Sequence, residues 1–137
     1  MQGSCLCSKV KYQLKPPFKL FQYCHCSRCQ KVTGSAHAAN IYIKAEQLIW
    51  LQGAEQIGRF EHPEAKYYAT QFCTNCGSNL PWQVKGGDTV VVPAGTLDDA
   101  SSEVKPKQSI HWRSRAPWYE ETSSICKFDD APPRKPQ

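Results

Sequence analysis

The chain has 137 residues, a formal net charge of +5 and 40% hydrophobic residues, among them five Phe, six Tyr and four Trp. This length fits one domain that can bury a core, and no apolar stretch approaches the ~20 residues that cross a bilayer. Lys and Arg are scattered without a run of five, so the charge predicts a solvated surface rather than a nucleic-acid interface.

The amino terminus carries neither a charged leader nor an apolar run before a cleavage site. Secretion is therefore not expected, and a cytoplasmic location is predicted. In that reducing compartment the eight cysteines are more typical of metal ligands than of disulfides.

Short segments rich in Val, Ile, Tyr and Phe alternate with Gly, Pro, Asn or Asp, which predicts a mainly β fold of antiparallel sheets with short helical turns only. A helix is predicted from residue 27 or 28 to 33, a single turn at 45–48 and a hairpin turn at 86–88. We predict one domain over residues 1–128 and a flexible, proline-rich tail over 129–137. Strands are predicted at 6–14, 18–24, 38–43, 49–51, 56–60, 67–73, 80–85, 89–93 and 109–113.

Two cysteines lie at the start of the first predicted strand, Cys7 within it and Cys5 just before it. Side chains alternate along a strand, so Cys5 and Cys7 are expected on one face, while Leu6, Val10 and Tyr12 face the core. Two sulfurs on one side of an extended backbone can bind one ion.

A second pair, Cys73 and Cys76, forms a C-x-x-C turn followed by Gly77. Together with Cys5 and Cys7 it supplies the four thiolates of a closed, structural zinc site. Free thiols or disulfides are the alternative interpretation.

The densest cysteine cluster is CHCSRC, with Cys24, Cys26 and Cys29. Three protein ligands leave a fourth position for water or substrate, which is typical of catalytic zinc. Cys126 can close the site as a fourth ligand, although a partly buried bystander is the preferred interpretation. His25 lies between two cysteines on one face, so we expect it to point away from the metal, either behind the ligands or at the surface.

Zinc bound by three thiolates has a formal charge of −1 and acidifies water less than zinc bound by three histidines. Such a centre suits the binding of a thiol as thiolate, or the polarisation of a small carbonyl. Arg28 and Lys31 flank the cluster and either offset its charge or face solvent.

Three motifs, GSCLCSKVKY, YCHCSRCQKVTGS and QFCTNCGSNL, together with APWYE at 116–120, resemble the glutathione-dependent formaldehyde-activating enzyme family, which includes the centromere protein V domain. The resemblance covers residues 3–120 and all seven clustered cysteines. It departs at Ser8, where the family usually has glycine, a change expected to be harmless in an extended strand.

The resemblance implies a zinc-stapled "β-tent" fold with two zinc ions per chain. The site of the second ion can be partly occupied. It assigns the structural ion to Cys5, Cys7, Cys73 and Cys76, and the second ion to Cys24, Cys26 and Cys29. The implied activity is that of a carbon–sulfur lyase, the reversible addition of glutathione to formaldehyde. Partners are then a small thiol and an aldehyde, without nucleic acid or membrane.

His37 and Asn40 follow the CHCSRC cluster and are candidate substrate contacts. The rival function is a non-catalytic, zinc-organised binding module, with nucleic acid as its candidate ligand. The split of the thiols into four and three favours an enzyme, because a scaffold has no use for an open site. A monomer and a homodimer are both compatible with the sequence.

Overall fold

The computed structural model describes residues 1–132, which contain eleven β-strands and one α-helix. The helix α1 spans Ser27–Thr33. The strands are β1 (Gln2–Ser4), β2 (Lys11–Leu14), β3 (Leu20–Cys24), β4 (Ala38–Lys44), β5 (Leu48–Gln52), β6 (Ile57–Glu61), β7 (Ala69–Cys73), β8 (Asn79–Leu80), β9 (Trp82–Gln83), β10 (Thr89–Pro93) and β11 (Gln108–Ile110).

These strands form three sheets, with the orders β1-β2-β5, β11-β3-β4-β10-β9 and β6-β7-β8. Neighbouring strands are antiparallel, except that β11 pairs with β3 in parallel. The mainly β class is therefore confirmed. The parallel edge pair differs from the purely antiparallel expectation, since β11 arrives by a long connection rather than a hairpin.

The five-stranded sheet has two chemically different faces. On one face Ile41, Ile43, Val90 and Val92 are buried and pack with Tyr12 of the first sheet. On the other face lie two cross-strand pairs between β3 and β4, Cys24 with Ala38 and Gln22 with Asn40. Strand alternation separates the core from the cysteine-bearing face.

The predicted strand 6–14 is wrong in its first half. Residues 5–10 form a turn, in which the Ser8 N–H donates to the Cys5 carbonyl at 2.9 Å. Leu6 is 86% exposed instead of buried, whereas Val10 and Tyr12 are buried as expected. Ser8 has a φ of 59°, so the position where the family usually has glycine is left-handed, not extended.

Other boundaries shift for local reasons. The predicted strand 80–85 divides into β8 and β9 at Pro81, which has no N–H to donate to a ladder. The predicted strand 109–113 ends at Ile110, because His111 is left-handed and begins a 3₁₀ turn. The helix at 27–33 and the strand at 89–93 have the predicted bounds.

Part of the predicted tail, residues 133–137, lies outside the described residues, and 129–132 have no regular structure. The domain boundary at residue 128 stays a prediction. No helix in residues 1–132 has the length and apolar character to span a membrane.

Gly53 allows the turn that carries Cys5 and Cys7 to lie against the end of β5. Its φ is 74°, and an added Cβ would be 2.0 Å from the Lys9 carbonyl oxygen. The side-chain amide of Gln52 also donates through Nε2 to the carbonyls of Ser8 and Lys9, at 3.2 Å each. Glycine is therefore required at position 53, because any side chain would collide with the backbone of Lys9.

We expect Gly53→Ala to lower the free energy of unfolding by about 3 kcal/mol, through left-handed strain and the clash with Lys9. Gly86→Ala is the matched control, because Gly86 has a φ of 65° but open space around its Cβ position; it should cost about 1 kcal/mol. Urea denaturation of both variants measures the difference, and equal losses would contradict the contact argument.

Candidate metal centre and adjoining cavities

Four thiols converge where the first sheet meets the third. Cys5 and Cys7 come from the amino-terminal turn, Cys73 from the end of β7 and Cys76 from the turn after it, and their sulfur atoms all lie within 4.8 Å of one another. The Sγ atoms of Cys5 and Cys7 are 3.5 Å apart, and those of Cys7 and Cys73 are 3.8 Å apart. Tetrahedral zinc with Zn–S bonds of about 2.3 Å places its sulfurs about 3.8 Å apart, so this quartet fits such an ion.

Backbone geometry positions the quartet. The Gly77 N–H donates to the Cys73 carbonyl at 2.8 Å, and Gly77 has a φ of 76°, which closes the C-x-x-C turn. Ser78 hydrogen-bonds Cys76 and lowers the pKa of its thiol to about 5, whereas burial raises the pKa of Cys5 to about 11. These opposed shifts mean that Cys5 and Cys76 are both thiolates near neutral pH only beside a compensating cation.

Three further thiols meet where β3 leads into α1. Cys24 ends β3, Cys26 is the N-cap of α1 and Cys29 lies in its first turn. The three sulfurs lie within 4.8 Å of one another, and the Cys29 N–H donates to Cys26 Sγ at 3.4 Å. Cysteine here takes the place of the serine or aspartate that usually caps a helix.

The trio shows the same unequal ionisation as the quartet. Hydrogen bonds with Cys24 and Cys29 lower the pKa of Cys26. Hydrogen bonds with Cys24 and Cys26, followed by burial, raise the pKa of Cys29. One thiolate is therefore favoured, and its neighbours keep their protons until a cation replaces them. This donor set fits a soft divalent metal ion.

None of the eight cysteines forms a disulfide, and seven of them fall into the two groups whose geometry is compatible with a metal ion. Cys126 is exposed and belongs to neither group. It does not cap the trio, and the expectation of partial burial is wrong, because the chain beyond residue 121 lies on the surface.

His25 is fully buried rather than at the surface. It lies on the opposite face of the sheet from Cys24, with ring centroids 4.9 Å from His37, 5.0 Å from Trp112 and 5.1 Å from Tyr119. Burial, with help from His37 and Arg115, lowers its pKa. Within residues 1–132 neither ring nitrogen has a hydrogen-bond partner, so His25 packs as a neutral aromatic ring behind the trio.

Two cavities adjoin the trio. The outer cavity, of about 340 Å³, is lined by all three cysteines and by residues that include Arg28, Tyr42 and His111. The inner cavity, of about 270 Å³, is lined by Cys29 and by Val32, Ala38, Thr70 and Pro93, among others. Both are bordered by the same four residues: Cys29, Asn40, Tyr68 and Trp82.

The two predicted substrate contacts lie in different places. Asn40 is buried and borders both cavities. His37 stacks on Tyr23, with ring centroids 4.3 Å apart, and lines neither cavity. Contact of either residue with a substrate stays a prediction. Of the flanking cations, Arg28 lines the outer cavity and Lys31 is exposed.

Tyr68 is a site residue that the sequence did not indicate. Its hydroxyl donates to Cys29 Sγ at 4.0 Å, its ring centroid is 5.3 Å from that of Trp82, and the Arg28 guanidinium is 5.8 Å from its ring centre. Burial, followed by the Cys29 charge, raises the pKa of Tyr68, so its hydroxyl remains a donor. The residue precedes β7 with no local motif to mark it.

Lys85 holds the loop that carries Tyr68. Its ammonium group donates to the carbonyls of His62 at 2.8 Å and Ala65 at 2.6 Å. The Lys85 N–H also donates to the Tyr67 carbonyl at 3.0 Å. Charge-assisted bonds to two carbonyls therefore anchor residues 62–68 beside the cavities.

We expect Lys85→Met to lower the free energy of unfolding by about 2 kcal/mol, because two carbonyls lose their charged donor. Amide hydrogen exchange should accelerate in residues 62–68. Lys66→Met, on the same loop but exposed with its Nζ 5.1 Å from the Tyr67 ring, is the control and should change neither quantity. Unchanged exchange in Lys85→Met would show that the loop is anchored otherwise.

Comparisons with known proteins agree with the motifs. The family model described as glutathione-dependent formaldehyde-activating enzyme matches residues 1–114, an interval that contains all seven clustered cysteines and ends before APWYE at 116–120. No curated protein matches the chain significantly.

A crystal structure of a Rhodobacter sphaeroides protein, a structural-genomics target, is similar with a TM-score of 0.61 and 21% sequence identity. The similarity covers 80% of this chain and 99% of that chain, and it shows a shared fold. The family match includes most of the sequence and both thiol groups, so this chain belongs to the glutathione-dependent formaldehyde-activating enzyme family.

Proposed function

We propose that this protein is a zinc-dependent carbon–sulfur lyase that joins and separates a glutathione-like thiol and formaldehyde or another small aldehyde, in the manner of an S-hydroxymethylglutathione synthase. Family membership supports this class of activity. Cytoplasmic location and use of the trio as the reactive centre belong to the same proposal.

One observation carries the proposal: the two thiol groups are unequal. The quartet offers four donors, which complete a tetrahedron, whereas the trio offers three and has no fourth His, Cys, Asp or Glu ligand among residues 1–132. All three cysteines of the trio line the outer cavity. A reactant in that cavity can therefore reach the incomplete centre.

Zinc held by Cys24, Cys26 and Cys29 would supply positive charge that stabilises a thiolate or a polarised carbonyl oxygen. Arg28, which lines the outer cavity, suits the carboxylates of a glutathione-like thiol. Tyr68 can donate a hydrogen bond to the aldehyde oxygen, since its hydroxyl already points at Cys29. Asn40 borders the same space and can orient the carbonyl.

In the forward direction the thiol sulfur bonds to the aldehyde carbon and the carbonyl π bond breaks. The oxygen takes up one proton, and the thiol gives one up, so S–H has been added across C=O. Holding both reactants beside the trio supplies proximity, and the Tyr68 donor stabilises charge that develops on the oxygen. The reverse reaction uses the same contacts.

We expect zinc content to separate the two groups. Cys26→Ser should reduce bound zinc from about two ions to about one per chain, abolish activity and retain the fold, because the quartet is intact. Cys73→Ser should lower the melting temperature by roughly 10 °C or more, because it removes a donor that joins distant segments. Elemental analysis and thermal denaturation measure both effects.

Cys126→Ser is the matched control, since Cys126 is exposed and outside both groups; it should keep zinc, stability and activity. Full activity in Cys26→Ser would exclude the trio as the reactive centre. Tight, salt-dependent binding to DNA or RNA without thiol–aldehyde activity would instead favour a zinc-organised binding module.

Removing the Tyr68 hydroxyl should reduce kcat about 100-fold in Tyr68→Phe, the loss typical of one oxyanion donor. Zinc content should not change, because the hydroxyl is not a ligand. Tyr67→Phe, at the exposed neighbouring position, is the control and should keep wild-type kcat. A Tyr68→Phe enzyme with wild-type kcat would remove this hydroxyl from the mechanism.

A further inference from the structure

We propose that the inner cavity binds the apolar side chain of the aldehyde, and that the preferred substrate is an aldehyde with a chain of several carbons rather than formaldehyde. This inference rests on the proposed function and specifies its substrate. The carbonyl would lie beside the trio and its chain would extend away from the thiol.

The position of the inner cavity relative to the reactive sulfurs supports this orientation. Cys29 lines both cavities, and Tyr68 and Trp82 border both. A carbonyl at Cys29 therefore has space on two sides. The outer side carries Arg28 and His111, which suit an anionic thiol, so the inner side is left for the other reactant.

The chemistry of the inner wall suits hydrocarbon. Val32, Ala38 and Pro93 contribute aliphatic surface, and Tyr68 and Trp82 contribute aromatic rings. Six polar side chains also line the cavity: Thr33, Asn40, Thr70, Gln71, Asn79 and Thr96. Three of them donate to backbone carbonyls, the Thr33 hydroxyl to Cys29 at 2.7 Å, the Thr96 hydroxyl to Pro93 at 2.8 Å and the Asn79 amide to Val32 at 3.5 Å. The hydroxyl hydrogens of both threonines are therefore used within the protein.

The size of the inner cavity also argues against formaldehyde. An apolar cavity of about 150 Å³ holds a benzene molecule, and this cavity measures about 270 Å³. Formaldehyde has no side chain and would leave water against the aliphatic and aromatic part of the wall. A butyl to hexyl chain would displace this water, and each buried methylene is worth about fourfold in affinity.

Val32 provides the variant that tests the cavity. It lies on α1, lines the inner cavity and is 39% exposed, so a larger side chain can be accepted without disrupting the core. Val32→Phe should fill the cavity. Lys31→Phe adds the same ring at an exposed position next to it and serves as the control.

The experiment measures the rate of adduct formation between glutathione and formaldehyde, acetaldehyde, butanal or hexanal, by exchange NMR on the zinc-loaded full chain. For the wild type we expect kcat/KM to rise at least tenfold from formaldehyde to hexanal. Val32→Phe should lose at least tenfold with hexanal and less than threefold with formaldehyde. Lys31→Phe should retain the wild-type order.

A second measurement does not depend on turnover. Saturation-transfer NMR with 1-hexanol, an unreactive analogue of the chain, should show binding to the wild type and to Lys31→Phe but not to Val32→Phe. Equal or faster turnover of formaldehyde than hexanal, or hexanol binding that Val32→Phe retains, would overturn this inference alone. Absence of turnover with every aldehyde, formaldehyde included, would instead overturn the proposed function.

Discussion

The convergence of Cys5 and Cys7 with Cys73 and Cys76 is the constraint on which the rest of the structure depends. Cys7 and Cys73 are 66 residues apart in the chain, yet their sulfurs are 3.8 Å apart. Closing a loop of that length costs conformational entropy, which the binding of a metal ion can offset. An ion in this quartet would therefore stabilise the contact between the first sheet and the third, where Val10 and Leu80 complete a small buried cluster around the sulfurs.

The five-stranded sheet positions the residues of the three-cysteine site. Alternation along β3 and β4 directs Phe21 and Ile41 into the core and Cys24 and Asn40 to the opposite side. The trio then lies at the end of β3, where the chain turns into α1, and its Cys29 borders both cavities. The core on one face thus supports a sulfur-rich centre on the other.

The β class, the helix that begins within the CHCSRC cluster and the three cysteine motifs could be predicted, since each follows from a local sequence pattern. The exposure of Leu6 and the left-handed backbone of Ser8 could not be predicted. The C-x-C pair lies in a turn, and the left-handed residue of that turn is serine rather than glycine, which would have marked it. Pro81 could have divided the predicted strand 80–85, since proline lacks an N–H. Tyr68 and Lys85 carry no local signal; their roles arise from partners 39 residues away, at Cys29, and 20 residues away, at Ala65.

The sequence by itself determined the donors: the spacings C-x-C, C-x-C-x-x-C and C-x-x-C place sulfurs within reach of one ion through a few covalent bonds and backbone dihedrals. Tertiary structure decided which pairs meet, where His25 and His37 lie relative to Cys24, and which side chains wall the two cavities. These features depend on long-range packing and strand pairing. Such contacts join residues that are distant along the chain, and no short stretch of sequence specifies them.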